Sequence, residues 1–159
     1  MSTIKDSLEL LEKMRIPFGA QNFIHNSQEG NITAIELMLK AGMNVNTMYN
    51  GHCALHYASS KGRDEIVNLL IANGAEIDKK TDTGNTSLSY SIFYKQNSTA
   101  KILITFGANV NLKNAENKLP IELAKEKHLD EIVELLKSTG AIEPKQLSFV
   151  EKIKKIFGM

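Results

Sequence analysis

Apolar residues along the chain recur with helical spacing in short stretches separated by polar or turn-forming residues. At the front, Ile4, Leu8, Leu11 and Met14 lie three or four apart and predict a helix that Pro17 terminates. Further on, Asp64-Glu65-Ile66-Val67-Asn68-Leu69-Leu70 reappears downstream as Asp130-Glu131-Ile132-Val133-Glu134-Leu135-Leu136. Ser98-Thr99-Ala100-Lys101-Ile102-Leu103 at the midpoint and Ala34-Ile35-Glu36-Leu37-Met38 upstream carry weaker versions of the same spacing. Four copies are therefore expected, at a period of about 33 residues.

Each copy ends on a glycine, Gly42, Gly74, Gly107 or Gly140, and the last two intervals are equal while the first is shorter by one. A glycine just past an apolar-periodic stretch is a helix C-terminal signal, because it enters the left-handed region without a Cβ clash. Alternating segments follow (Met43-Asn44-Val45-Asn46, Ala75-Glu76-Ile77-Asp78, Ala108-Asn109-Val110-Asn111) and read as extended chain leading into a turn. Then Gly51-His52-Cys53-Ala54-Leu55-His56-Tyr57-Ala58 and Gly84-Asn85-Thr86-Ser87-Leu88-Ser89-Tyr90-Ser91 open a second, shorter helix in each unit.

On these residues the chain resembles the ankyrin-repeat family, whose period and Thr-Pro-Leu-His-x-Ala signature match from residue 19 to about residue 143. The second copy fits best, through Leu55-His56-Tyr57-Ala58, Gly62, Ile66-Val67, Leu69-Leu70 and Gly74-Ala75. The resemblance implies an all-α solenoid of stacked antiparallel helix pairs with β-turn fingers. Its expected parts are a capping helix over residues 1–18, repeats over 19–46, 47–78, 79–111 and 112–143, and a C-terminal amphipathic helix over 144–159.

Departures from the signature carry information. Cys53 stands where the family has a capping threonine, a loss worth about 1 kcal/mol. Thr86 keeps that cap, and Leu119-Pro120 loses it but retains proline at the first helical position. The first copy, Gln21-Asn22-Phe23-Ile24, retains mainly the hydrophobic pattern. Because Gly42 to Gly74 is one residue short, with the deletion between Gly42 and Gly51, the first finger should differ in shape from the others.

Composition narrows the function. A chain of 159 residues that is 42% hydrophobic suits one domain with a core of its own. Nineteen Lys/Arg against 18 Asp/Glu leave a net charge of +1, no basic excess for a phosphate backbone, so nucleic acid is not an expected partner. The single cysteine permits no internal disulfide and fits a cytoplasmic location. Residues 1–14 mix charges among their apolar positions, unlike a secretory signal, and no apolar run has the length of a membrane span.

No nucleophile elbow, phosphate loop or dinucleotide glycine fingerprint is present, and neither catalysis nor a cofactor is expected. His52 and His56, flanking Cys53, have a ligand-like spacing, but the family register places His52 on the turn and uses His56 for local hydrogen bonding, so no metal is assigned. Cys53 reads as a small buried hydrophobe, and His25 and His128 receive no role. Residues 149–157, ahead of which Ser148-Phe149-Val150-Glu151 has capping-box form, make a basic amphipathic stretch. It is expected to cap the last repeat, with contact of residues 147–159 to a membrane surface as the alternative, an adaptor function.

What the resemblance implies is a monomeric binding scaffold whose fingers and inner helices present a concave surface to another protein. Carried across in register, the contact positions are Met48, Tyr49 and His52 on the first finger and Tyr57, Ser60 and Lys61 on the adjacent helix. In the next unit they are Asp82, Asn85, Tyr90, Phe93 and Tyr94, followed by Glu116, Lys118, Glu126 and Lys127. Phe93 and Tyr94 are adjacent aromatics at positions expected to be exposed, the composition of an interface hot spot. Tyr57 and Tyr90 should lie side by side, and Lys118, Glu126 and Lys127 should form a charged rim. An inhibitor, an immunity-type protein or an effector acting on a partner protein all fit this reading.

Overall fold

A computed structural model describes residues 2–142 of the chain. Among them nine helices follow in order: α1 (Ser2–Lys13), α2 (Ala20–Glu29), α3 (Ile32–Lys40), α4 (Ala54–Ser60), α5 (Asp64–Ala72), α6 (Ser87–Phe93), α7 (Asn97–Thr105), α8 (Pro120–Glu126) and α9 (Asp130–Ser138). From α2 onward they form four antiparallel pairs. The inner helices α2, α4, α6 and α8 stack on one another in one layer, and the outer helices α3, α5, α7 and α9 in a second, with α1 packed on α3. The resulting all-α solenoid has its core between the two layers, where Phe23, Ile35, Leu55, Ile66, Leu88, Leu103, Ile121 and Ile132 are buried.

The outer helices end alike. Met43, Ala75, Ala108 and Ala141 each donate a backbone hydrogen bond five residues back, to Met38, Leu70, Leu103 and Leu136. Those four acceptors are fully buried, and the intervening Gly42, Gly74, Gly107 and Gly140 have positive φ. α1 ends in the same motif: Ile16 donates to Leu11 at 2.9 Å, Leu11 is buried, and Arg15 takes the left-handed position at φ 57°. By its end motif α1 is thus a further outer helix, one that connects to α2 without a finger. Ile4, Leu8 and Leu10 on this helix and Met14 just beyond it remain exposed, because among the described residues no inner helix of its own covers them.

Side chains at the alternating segments tie successive units together. Asn46 Oδ1 accepts from Glu76 N–H at 2.8 Å, Asp78 Oδ1 from Asn109 N–H at 2.9 Å, and Asn111 Oδ1 from Ile142 N–H at 2.8 Å. Between Asn46 and Met48 there is one residue, Thr47, where the next units have two, Lys79-Lys80 and Leu112-Lys113. The first finger also differs from the others in its pairing. β1 (Met48–Tyr49) and β2 (His52–Cys53) pair antiparallel, Met48 with Cys53 and Tyr49 with His52. The two-residue loop is Asn50-Gly51 with φ 49° and 75°, the sign pattern of a type I′ turn. In the second finger Thr81 N–H instead bonds Asn85 O at 2.8 Å across three residues, with Gly84 left-handed.

The segment over residues 144–159 lies outside the described residues.

Candidate functional site

The concave side is built from the fingers and the exposed faces of the inner helices. Helical register makes His25, Tyr57, Tyr90 and Leu123 equivalent positions of the four inner helices, with Gln28, Ser60, Phe93 and Glu126 one turn further on. The helices α4 and α6 therefore project Tyr57, Tyr90, Phe93 and Tyr94 to the same side. Capping holds these helices in place. Thr86 Oγ1 accepts from Ser89 N–H at 3.2 Å while Ser89 Oγ accepts from Thr86 N–H at 2.9 Å, and in α8 Glu122 accepts from Leu119 N–H at 2.7 Å.

At the start of α4 the weakly accepting thiol of Cys53 stands in place of a capping hydroxyl, and the ring of His56 takes the part of the N3 residue. Cys53 N–H donates to His56 Nδ1 at 3.0 Å, and His56 Nε2 lies 2.8 Å from the Lys79 carbonyl. A carbonyl only accepts, so the proton sits on Nε2 and Nδ1 is free to accept, which requires a neutral ring. Burial lowers the His56 pKa to about 4. Cys53 Sγ lies 3.1 Å from the same Nδ1, but burial raises the thiol pKa, so the pair is a structural cap with no activated thiolate. Among the described residues no group of three or more His, Cys, Asp or Glu side chains is arranged to hold a metal ion.

His52 has the central place on the concave side. Its Nδ1 donates to the Asn50 carbonyl at 2.8 Å within the turn, and its Nε2 meets the Tyr90 hydroxyl of the next repeat at 2.9 Å. Its ring lies 5.2 Å from that of Tyr57 and 5.9 Å from that of Tyr90, so Tyr57 and Tyr90 are joined through His52. From Tyr90 the series continues to Tyr94, nearly parallel at 6.2 Å, and to Phe93, edge-on to Tyr94 at 5.1 Å. Phe93 is 44% and Tyr94 51% exposed. Lys127 Nζ stands 4.0 Å over the Phe93 ring, a cation–π contact that joins the fourth inner helix to this cluster.

The structure divides the remaining sequence-selected positions. Lys118 bridges Glu126 at 2.8 Å and Glu116 at 2.9 Å, and these carboxylates raise its pKa as it lowers that of Glu116. A cavity of about 150 Å³ lies between Tyr90, Phe93 and Tyr94 on one side and Asn85, Asn114 and Glu116 on the other. Asn85 also accepts from Ala115 N–H at 3.1 Å, holding the third finger against the second. Asp82 lies against Gly51 of the first finger, its N–H donating to the Gly51 carbonyl at 3.1 Å. Ser60 Oγ turns back to Tyr57 O at 2.9 Å, and Lys61 closes α4 as an exposed residue. Met48 and Tyr49 are exposed on the first finger.

The α2 side of this surface lies outside the contact positions expected from the sequence. Gln21, Asn22, His25 and Gln28 line a groove of about 330 Å³ with Tyr49, Asn50 and Tyr57. The signal was available: His25 precedes Tyr57 by the same interval that separates Gly42 from Gly74.

Among the described residues no helix is long and apolar enough to cross a membrane. The family profile described as ankyrin repeats (3 copies) matches residues 8–81. A putative ankyrin repeat protein of Acanthamoeba polyphaga mimivirus is 30% identical over 74% of this chain and 74% of its own length. Protein phosphatase 1 regulatory subunit 27 of Mus musculus is 29% identical over 74% of this chain and 77% of its own. The chain also matches much larger proteins of which it spans only a small part, such as 4% of the E3 ubiquitin-protein ligase Ufd4 of Drosophila melanogaster at 33% identity. Ankyrin repeats are in general non-catalytic modules for protein–protein interaction. The period, the shared helix ends and a relative aligned over most of its length agree: the chain belongs to the ankyrin-repeat family.

Proposed function

We propose that this protein binds a protein partner in the cytoplasm through the concave surface of its second and third repeats, without catalysis. The observation that carries the reading is the continuous series Tyr57, His52, Tyr90, Tyr94 and Phe93, whose last two rings are about half exposed. Aromatic side chains left in water on one face are costly to the free protein and supply most of the affinity when a partner covers them. Met48, Tyr49, Ser60, Lys61, Asp82 and Asn85 border this series, and the Glu116, Lys118, Glu126 and Lys127 group forms its charged rim. Rim charges steer and orient a partner more than they hold it.

An inhibitory or regulatory action on the partner is the more specific form of the proposal. One relative is by its name a regulatory subunit of a phosphatase, and that supports this form. A photo-reactive residue at position 94 should cross-link the partner in cells and identify it. Phe93→Ala/Tyr94→Ala should then weaken binding to that partner about 100-fold or more, with the helical circular dichroism unchanged. Equal affinity for the variant and the parent would refute the proposed surface.

A further inference from the structure

We propose that two copies of this chain associate through α1, packed antiparallel about a two-fold axis near Leu8. The surface is distinct from the concave face. Five of the ten large apolar side chains exposed in the described residues fall between residues 4 and 18: Ile4, Leu8, Leu10, Met14 and Phe18. Leu10 projects from the opposite flank of the helix to Leu8, two residues being just over half a turn. Ile4, Leu8 and Phe18, exposed by 47%, 40% and 45%, lie on one side.

That side borders a groove of about 310 Å³ lined by Leu8, Leu11, Ile16, Pro17 and Phe18, with Glu12 and Arg15 at its edge. No residue of α2 or α3 lines it, so it opens away from the solenoid. The reason is the helix pairing. Every other outer helix packs on the inner helix of its own pair, whereas α1 packs chiefly on α3, and among the described residues no inner helix covers the corresponding face.

Size and charge argue for a second copy as the occupant. Large apolar side chains exposed together beside a groove and rimmed by charges have the composition of an interaction site. A contact between two such helices belongs to the small interfaces, below about 1,200 Å², of weak reversible complexes. Lys5 and Glu12 lie one heptad apart and therefore on the same edge of the Ile4–Leu8 strip. When two such helices run antiparallel, Lys5 of each copy faces Glu12 of the other, and Ile4 of each enters the other's groove. In a parallel pair the Lys5–Glu12 edges of the two copies would lie on opposite sides of the contact, and these charges would not meet. Among the described residues Lys5 makes a long, exposed 3.9 Å contact with Glu9, a weak pair that a stronger one can replace. This arrangement departs from the monomer expected from the sequence.

Sedimentation velocity on the full chain from about 5 to 500 μM tests it, since an interface of this class associates in the micromolar range. The expected result is a mass rising from 17.7 kDa toward twice that value. A monomer at every concentration overturns the proposal. Leu8→Glu should abolish the rise with an unchanged circular-dichroism spectrum. Lys5→Glu and Glu12→Lys should each weaken association about tenfold, and the double variant should restore it. If the charge reversal does not restore association, the antiparallel pairing is wrong, and this readout stands even should Leu8→Glu fail to fold. Removing residues 144–159 should leave the mass curve unchanged. Loss of association on that removal would assign the groove to the C-terminal segment and overturn the proposal.

Discussion

Acid should destabilise this protein through His56. Its ring is 1% exposed, and it can accept from Cys53 N–H and donate to the Lys79 carbonyl only when neutral. Burial holds its pKa at about 4 in the folded state, against about 6.5 in an unfolded chain. The unfolded state therefore takes up a proton between those values while the folded state does not, and stability falls as pH falls. The contribution is whole above pH 6.5, declines between 6.5 and about 4, and is flat below. At about 1.4 kcal/mol per pH unit the gap amounts to about 3 kcal/mol, a large part of the stability of a domain this size.

Urea unfolding followed by circular dichroism at pH 7.5, 6, 5 and 4 gives the total dependence. The same series on His56→Gln, which removes the titration but retains a donor and an acceptor, isolates the His56 part. With only four histidines, the ring carbons of His25, His52, His56 and His128 can each be followed by NMR. A His56 resonance that titrates near 6.5, or identical pH dependence in the parent and His56→Gln, would refute the reasoning.

Three stability predictions concern backbone and caps. Lys95 occupies a left-handed position at φ 59° where the preceding unit has Gly62, so Lys95→Gly should stabilise by about 0.5–1 kcal/mol in thermal unfolding. Gly51→Ala should cost about 1–2 kcal/mol, because φ is 75° and the added Cβ would stand 2.5 Å from Asp82 Oδ2; adding Asp82→Ala should recover part of the loss. Cys53→Thr should raise stability by about 0.5–1 kcal/mol by replacing a weak thiol acceptor with the hydroxyl cap that Thr86 provides to α6, and an unchanged melting temperature would show that Cys53 and His56 already satisfy that helix end.

Much of the fold could be read from spacing. Glycine at a near-regular interval after an apolar helix signals the left-handed helix end that the structure shows, because glycine enters that region without the strain other residues meet. The missing residue of the first finger was likewise legible, although its position at Thr47 and the two-residue turn of that finger were not. Arg15 escaped notice since nothing marks an arginine as the left-handed residue of a helix end. The exposure of Phe93 and Tyr94 was expected from register. Their company was not: Lys127 over Phe93 and His52 against Tyr90 are contacts between different repeats.

Local backbone preference and apolar spacing, both contained within a single repeat, suffice for the period, the helix pairs and the face of each inner helix that looks outward. Three features required the stacked units themselves: His52 joining Tyr57 to Tyr90, the neutral ring of His56, and the uncovered apolar flank of α1. Each depends on the distance and angle between neighbouring helices. That geometry is set by the packing of buried side chains such as Leu55 and Leu88 across the repeats, and no spacing along the chain encodes it.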